Sequence, residues 1–214
     1  MCLADVKQGD NVVVFGCGPV GLMTMMFAKH RKANRVIGID IDDYRFKFAK
    51  MKFDVETINS KEKDPLEAVK LLIPGGPDKV IDCVGFRFPE TFLHKFERAL
   101  SLETDSPSIL NNMIHMVRKN GRIALSGDYV GYTNHFHIGA FMEKHLTMSR
   151  GQLWPHKYQK HIFDLIKAGE IDPSVIITHT FPLSKAPEVY KMFDKHENGI
   201  IKPYIVPDSV YLAY

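Results

Sequence analysis

Short apolar segments alternate along this chain with longer segments whose apolar residues recur at helical spacing. The first apolar segment, Asn11–Phe15, is rich in β-branched residues, and a helical pattern with a basic end follows it at Val20–Lys32. The same alternation predicts further strands at 35–39, 55–58, 79–84, 122–125 and 146–148, and further helices at 43–52, 64–73 and 106–118. Repeated units of this kind predict an α/β fold of three layers, a doubly wound parallel sheet with helices on both faces.

The pattern changes in two places. After the fourth strand comes a stretch, about 86–105, that a simple crossover does not need, and Glu90–Ala99 within it has helical character. Beyond the sixth strand the alternation stops, and the sequence predicts helices at 154–168 and 184–195 and a closing strand at 201–205. We therefore expect a first domain at 1–150, carrying an insertion, and a C-terminal segment at 151–214.

A glycine motif joins the first strand to the first helix. The motif is Gly16-Cys17-Gly18-Pro19-Val20-Gly21. In it Gly16 permits a tight turn, Gly18 lets the backbone approach a pyrophosphate, and Gly21 lets the helix pack against the strand. The phosphates would meet the helix N-terminus, where free N–H groups and the dipole favour negative charge. Asp40 ends the second strand 19 residues after Gly21, and the combination predicts a dinucleotide-binding domain of the Rossmann type.

Asp40 indicates which dinucleotide is bound. A carboxylate at this strand end accepts hydrogen bonds from both adenosine ribose hydroxyls and repels a 2′-phosphate, so NAD is expected rather than NADP. Two alternatives stay open: Asp40 caps the helix that begins near Asp43, or the nearby guanidinium of Arg45 holds a 2′-phosphate. A methyltransferase also places an acid here, but it normally carries GxGxG after its first strand.

Composition and charge argue against several other classes. The 214 residues are 45% hydrophobic, enough for a sizeable core, and 28 basic residues against 25 acidic ones give a net charge of +3. The basic residues are scattered, which argues against a nucleic-acid partner. Three cysteines without CxxC spacing argue against a disulfide framework and a zinc knuckle. The apolar stretches are far shorter than the about 20 residues of a membrane span, so we expect a cytoplasmic protein with small-molecule partners.

Longer phrases resemble the medium-chain zinc-dependent alcohol dehydrogenase superfamily. These phrases are Val6–Gly21, Arg35–Asp40, Asp82–Gly85 and Ile176–Leu183. Within the superfamily, three more phrases are similar to the formaldehyde-dehydrogenase-like branch: Ala99–Asp105, Gly169–Ser174 and Asn198–Lys202. The first two phrases are common to many Rossmann proteins, whereas the later ones are more specific.

The resemblance implies a two-domain enzyme in which a GroES-like catalytic domain precedes the cofactor domain. In that family hydride passes from a zinc-bound alcohol to the nicotinamide. The zinc ligands are a Cys, a His with a neighbouring Glu, and a Cys or Asp shortly before the first Rossmann strand. Cys2 lies too close to that strand to be the last of these. We therefore assign no catalytic residue and no metal ligand to this chain, expect zinc only in the missing N-terminal domain, and expect the chain alone to be inactive.

The resemblance also implies the cofactor contacts. It assigns to NAD the residues Gly16, Gly18, Pro19, Val20, Gly21, Asp40, Arg45, Val84, Gly85, Ser126 and Lys202. For Val84 and Gly85 the alternative is a simple strand terminus, and for Lys202 it is an exposed lysine on a closing strand. Because the family's tail returns to the catalytic domain, some of its apolar side chains are expected to be exposed. They are Trp154, Phe163, Ile166, Ile176 and Ile177.

Two functional hypotheses follow. The first is the NAD-binding part of a zinc-dependent alcohol or aldehyde dehydrogenase, with formaldehyde suggested by the branch resemblance and a homo-oligomer implied by the family. The second is a stand-alone dinucleotide-binding or interaction protein without turnover. The two differ in whether a zinc-bearing domain accompanies this chain.

Overall fold

The computed structural model describes residues 3–85, 105–129, 131–151 and 154–211. The predicted helix at 90–99, with nearly all of the predicted insertion, lies outside the described residues. The chain divides into two units, Met1–Pro155 and His156–Tyr214. None of the helices in the described part of the chain is long and apolar enough to cross a membrane.

The first unit is built on a six-stranded parallel sheet. Its strands are β1 (Asn11–Phe15), β2 (Arg35–Asp40), β3 (Glu56–Asn59), β4 (Lys79–Asp82), β5 (Arg122–Leu125) and β6 (Thr147–Arg150). Their order across the sheet is β3-β2-β1-β4-β5-β6. The chain winds outward from β1, crosses back, and winds outward from β4, which confirms the predicted doubly wound α/β fold. The switch point, where sheets of this kind bind ligands at the carboxyl ends of their strands, lies between β1 and β4.

Five helices of this unit lie among the described residues. They are α1 (Pro19–His30), α2 (Asp43–Phe53), α3 (Pro65–Leu72), α4 (Ser108–Met116) and α5 (Ile138–Glu143). α1 ends two residues before the predicted Lys32, because Lys32 adopts a left-handed backbone with φ of 59°. Ala33 N then donates to Ala28 O at 3.0 Å, which closes the helix in a Schellman motif. α3 begins at Pro65 after Asp64, whose Oδ1 caps it by accepting from Glu67 N at 3.0 Å.

Two helices differ from the sequence prediction. α4 is shorter than the predicted 106–118, and its N-cap position is Pro107 rather than Ser106. Ser106 still contributes, since its Oγ accepts from Ser108 N at 3.4 Å. α5 was not predicted, because it has only six residues, includes Gly139 and lacks a side-chain cap.

Both faces of the sheet are covered, which parallel strands require. On one face Val13 and Ile37, both fully buried, belong to a cluster with residues of α3 and α4. Burying each such side chain contributes about 1.5–3 kcal/mol. On the other face α1 contacts β1 and β2, and a Cβ built at Gly38 would lie 3.0 Å from Met25 Sδ. The missing side chain at position 38 therefore lets α1 pack closely against β2.

The second unit contains a two-stranded parallel sheet. Its elements are β7 (Ile177–Pro182), β8 (Lys202–Val206), α6 (His156–Lys167), α7 (Ala186–Asp194) and α8 (Asp208–Tyr211). The pattern predicts β8, α6 and α7 to within two residues. It misses β7, whose side chains do not alternate between buried and exposed, so that the period-two signal of a strand is absent.

The predicted exposure of apolar tail residues is correct in part. Trp154 and Phe163 are 68% and 51% exposed, and Ile177 is 38% exposed. Ile166 is half-buried. The prediction is wrong for Ile176, which is only 7% exposed. Ile176 closes the short 3-10 turn that precedes β7, and this turn carries its side chain inward.

Candidate dinucleotide-binding site

The fold itself requires two glycines of the motif, Gly16 in the loop between β1 and α1 and Gly21 in the first turn of α1. Gly16 has a φ of 89°, and a Cβ there would lie 2.9 Å from Cys83 O at the end of β4. At Gly21 a Cβ would lie 1.8 Å from Gly16 O, a distance that no side chain tolerates. The first turn of α1 therefore lies directly against the loop, and the loop lies directly against β4.

Gly18 differs from these two glycines. Its backbone is extended, with a φ of −72° that any residue adopts. A Cβ there would meet only Arg45 Nη1, at an ordinary contact distance of 3.8 Å. Nothing in the described residues requires glycine at position 18. That a ligand passes over this backbone stays a prediction from the sequence. A pyrophosphate fits that description.

The N-terminus of α1 is arranged to receive an anion. Gly18 is its N-cap and provides no side-chain hydrogen bond, and the first turn contains no acidic residue. Pro19 occupies the first helical position, where its missing N–H costs nothing. The first intrahelical bond runs from Leu22 N to Gly18 O at 2.9 Å. The N–H groups of Val20 and Gly21 precede it and have no intrahelical acceptor, so they are available to a phosphate together with the helix dipole.

Asp40 lies beside this loop at the carboxyl end of β2, with 8% of its surface exposed. Its Oδ2 accepts from Cys17 N at 2.5 Å, and its Oδ1 accepts from Ile41 N at 2.6 Å and from Asp42 N at 3.2 Å. The sequence predicted none of these three bonds. The bond from Cys17 N holds the carboxylate against the glycine loop, and the other two hold it against the residues that follow β2. Since a carboxylate has about four acceptor positions, the three bonds leave less capacity for ribose hydroxyls than two free oxygens would offer.

Arg45 lies among acidic side chains. Its Nη1 is 3.8 Å from Asp40 Oδ2, and its Nε is 3.7 Å from Asp42 Oδ2. Its Nε also donates to the hydroxyl of Tyr44 at 3.0 Å. Two carboxylates therefore offset the single positive charge of Arg45, and the local field disfavours the two negative charges of a 2′-phosphate.

Two cysteines belong to this region: Cys17 is in the loop, and Cys83, just after β4, lies against it. Cys17 is fully buried, and burial together with the charge of Asp40 raises the pKa of its thiol. Burial also raises the pKa of Cys83 to about 12, and its Sγ lies 3.5 Å from Thr24 Oγ1. Both thiols are therefore neutral at pH 7, which favours a packing role for Cys17 over a reactive one.

The carboxyl ends of β4 and β5 contain the other predicted contacts of this unit. Val84 is half-buried, while Gly85 and Ser126 are exposed. Asp82, which is fully buried, binds two of these positions: its Oδ1 accepts from Val84 N at 3.0 Å, and its backbone oxygen accepts from Ser126 N at 2.8 Å. The sequence analysis did not single out Asp82. The signal available in the sequence was an acidic residue at the end of an apolar strand.

Lys202 belongs to the second unit, where it is exposed at the start of β8. Its contact with the pyrophosphate stays a prediction. The other ten predicted residues are all in the first unit, in the β1–α1 loop, in the first turn of α1, at the end of β2, at the start of α2, or after β4 and β5.

Among the described residues there is no group of three or more His, Cys, Asp and Glu side chains placed to hold a metal ion. Two of the described histidines do meet: Nδ1 of His137 lies 2.8 Å from Nε2 of His115. Burial, and the positive charges of His137, Lys144 and Lys70, lower the pKa of His115. The lowered pKa favours the neutral form of the His115 ring.

Comparison with known proteins agrees with the fold. A family model of zinc-binding dehydrogenases matches residues 19–97. A zinc-type alcohol dehydrogenase-like protein of Schizosaccharomyces pombe is 37% identical over 94% of this chain and 48% of its own length. An uncharacterized zinc-type alcohol dehydrogenase-like protein of Bacillus subtilis is 36% identical over 95% of this chain and 54% of its own length. The chain thus spans about half the length of the curated relatives that it matches.

A solved structure extends the match to three dimensions. An alcohol dehydrogenase from Thermus sp. ATN1 aligns with 95% of this chain and 54% of its own, with a TM-score of 0.78 and 28% sequence identity. The chain belongs to the medium-chain zinc-type alcohol dehydrogenase family and contains that family's nicotinamide dinucleotide-binding domain.

Proposed function

We propose that this chain is the NAD-binding part of a zinc-dependent alcohol or aldehyde dehydrogenase. The observation that carries the proposal is the space at the uncapped N-terminus of α1, where a Cβ at Gly18 would meet only Arg45 Nη1, at 3.8 Å. A ligand with a pyrophosphate fits this space, because it needs close backbone approach and free N–H donors together.

Different residues of the first unit bind different parts of the dinucleotide. The N–H groups of Val20 and Gly21 bind phosphate oxygens, and Asp40 accepts a hydrogen bond from the adenosine ribose. Asp40 and Asp42 repel a 2′-phosphate more strongly than Arg45 attracts it, so NAD is bound in preference to NADP. The backbone at Val84 and Gly85, after β4, passes the adenosine, and the nicotinamide half lies at the carboxyl end of β5, past Ser126. When bound there, NAD supplies the hydride acceptor, and this chain supplies position and electrostatics.

The second unit supports the idea of a partner domain. A parallel sheet of only two strands does not usually stand alone, because parallel sheets need both faces covered and more than two strands to be stable. Here the strands carry exposed apolar side chains, Ile177 at 38% and Tyr204 at 53% exposure. We propose that this surface, together with Phe163, packs against a catalytic domain that carries the zinc. We also propose that the full-length protein forms a homo-oligomer.

The substrate class is a small alcohol or aldehyde, and formaldehyde is the specific candidate that the branch-specific phrases indicate. The chain alone is then inactive, because no described residue is placed as a zinc ligand or proton relay. Incubating the chain with NAD, zinc and a panel of primary alcohols, and following absorbance of NADH, should give no turnover. Turnover at a measurable rate would show that the metal site lies in this chain.

The sequence of the transcript upstream of Met1 separates the two functional hypotheses. The dehydrogenase proposal expects codons for a Cys, a His beside a Glu, and a further Cys or Asp at family spacing. An in-frame stop codon directly upstream, with no partner gene for the catalytic domain, would instead favour a dinucleotide-binding protein without turnover.

A further inference from the structure

Two histidines from different parts of the first unit bring their ring nitrogens together. Nε2 of His115 lies 2.8 Å from Nδ1 of His137, although 22 residues separate the two in the sequence. Their rings are inclined at 71°, with the centroids 5.1 Å apart. His115 is in the last turn of α4, and His137 directly precedes α5. Both residues are exposed, so solvent ions have access to them.

A second set of contacts holds the two histidines at this separation. Asn111 lies four residues before His115, about one turn earlier on the same face of α4. Its Nδ2 donates to His135 O at 3.0 Å, and its Oδ1 accepts from His137 N at 3.1 Å. The amide of Asn111 thus ties the backbone at 135–137 to α4. The placement of His137 next to His115 therefore does not depend on the bond between the two rings.

The separation of the two ring nitrogens suits a metal ion. Imidazole nitrogens bind divalent transition metals at about 2.0–2.1 Å. Two such nitrogens are about 2.9 Å apart at neighbouring corners of a square and about 3.3 Å apart at two corners of a tetrahedron. The observed 2.8 Å is close to the first value. With a small turn of each exposed ring toward the ion, it matches the tetragonal arrangement that copper(II) and nickel(II) prefer.

The positive charges near His115 are bound to other groups. They belong to Lys144 and Lys70. Nζ of Lys144 donates to the carbonyl oxygens of Ile114 and His115, at 2.8 and 2.9 Å. Nζ of Lys70 lies 2.7 Å from Glu67 Oε1. The C-terminus of α4 also carries the negative end of the helix dipole, which favours a cation beside its last turn. These contacts reduce the repulsion that the two lysines exert on a bound cation.

We propose that His115 and His137 bind one divalent transition-metal ion of the copper(II) and nickel(II) class, through Nε2 and Nδ1, with water as the remaining ligand. This inference goes beyond the proposed function and does not depend on it, and we assign the ion no part in hydride transfer. Bound there, the ion links α4 to the segment before α5 and stabilises the folded chain. Magnesium ions should not bind, because they prefer oxygen ligands.

The test titrates Ni²⁺ into the 214-residue chain and into its His115→Gln and His137→Gln variants. The parent should bind one ion per chain most tightly. Loss of either ring should raise the Kd at least about tenfold, because loss of a group that merely orients a metal ligand already costs about 10- to 100-fold. His161→Gln, at an exposed histidine on α6, is the matched control and should leave the Kd unchanged. Ni²⁺ should raise the urea midpoint of the parent and of His161→Gln only.

A spectroscopic measurement on the parent chain avoids any effect of substitution on folding. One equivalent of Cu²⁺ should give an electron paramagnetic resonance spectrum with coupling to two imidazole nitrogens. Coupling to one imidazole or to none would overturn the inference, as would the absence of saturable Ni²⁺ binding by the folded parent. An increased Kd in only one of the two histidine variants, or in neither, would also overturn it, because the ion would then bind without the pair.

Discussion

Replacing Gly18 by alanine is the most selective perturbation that the structure offers. The backbone at this position has a φ of −72°, and a Cβ would meet only Arg45 Nη1 at 3.8 Å. Neither strain nor a clash follows within the described residues. The free energy of unfolding should therefore change by less than about 0.5 kcal/mol, as for substitutions that touch no packed group. The methyl group would, however, occupy the space that we assign to the pyrophosphate.

The size of the binding effect follows from what the methyl group displaces. A phosphate oxygen that accepts from a backbone N–H at a helix N-terminus makes a charge-assisted hydrogen bond, worth about 1.5–3 kcal/mol. If the methyl group pushes the pyrophosphate away from one such donor, the Kd of NAD should rise by about 10- to 100-fold. The same rise is expected for ADP-ribose, because the pyrophosphate is common to both ligands.

Calorimetric titration with NAD and urea unfolding should be measured on the same preparation. Gly75→Ala provides the matched control, because a Cβ at Gly75 meets nothing within 4 Å. The residue precedes β4 and therefore lies on the side of the amino ends of the strands, away from the glycine loop. Both variants should unfold like the parent chain, and only Gly18→Ala should bind NAD weakly. A folded Gly18→Ala chain with unchanged affinity would show that no pyrophosphate passes over position 18.

Four further predictions follow from the same geometry. Asp40→Asn keeps the shape of the side chain and removes its charge, so the preference for NAD over NADP should fall about tenfold in competition titrations. An unchanged preference would show that another group determines the selectivity. Gly21→Ala should lower the free energy of unfolding by about 1–3 kcal/mol or more, because its Cβ would lie 1.8 Å from Gly16 O; an unchanged urea midpoint would contradict that contact. Burial alone would raise the pKa of Asp78, but hydrogen bonds from Asn11 N and Arg118 outweigh it and hold that pKa below 3.8. The stability from Asp78 is therefore present above about pH 4 and lost as the pH falls through the folded pKa, so the urea midpoints of Asp78→Asn and the parent should differ at about pH 5 and converge at about pH 2. Because burial raises the pKa of Cys17 and of Cys83, a Cys2→Ser chain should react with Ellman's reagent only after unfolding.

The sequence predicts the sheet well because each of its strands is short, apolar and bounded by polar or turn-forming residues. β1 and β5 begin and end at the predicted residues. The sequence prediction is wrong where backbone conformation or tertiary packing determines where an element ends or whether it forms. Lys32 continues the helical pattern but adopts φ of 59°, and β7 has no alternating pattern because its two faces are both partly exposed.

The candidate site was predicted in part for a similar reason. The spacing of Gly16, Gly18, Gly21 and Asp40 identifies the loop, because local geometry determines which residues such a loop accepts. Which of the glycines the fold requires depends on the atoms that a Cβ would meet, and those atoms come from the loop itself, from the segment just after β4 and from Arg45 in α2. Likewise a hydrogen bond from the Tyr129 hydroxyl joins it to Asp82 across 47 residues, a pairing that spacing along the chain does not indicate.

The most direct test of NAD binding at the β1–α1 loop is a calorimetric titration of the 214-residue chain with NAD and, separately, with NADP. We predict saturable binding of one NAD per chain, and binding of NADP that is weaker by about tenfold or more, since Asp40 and Asp42 repel the 2′-phosphate. Absence of saturable NAD binding by the folded chain would contradict the assignment of the loop, and equal or tighter binding of NADP would contradict the role of Asp40.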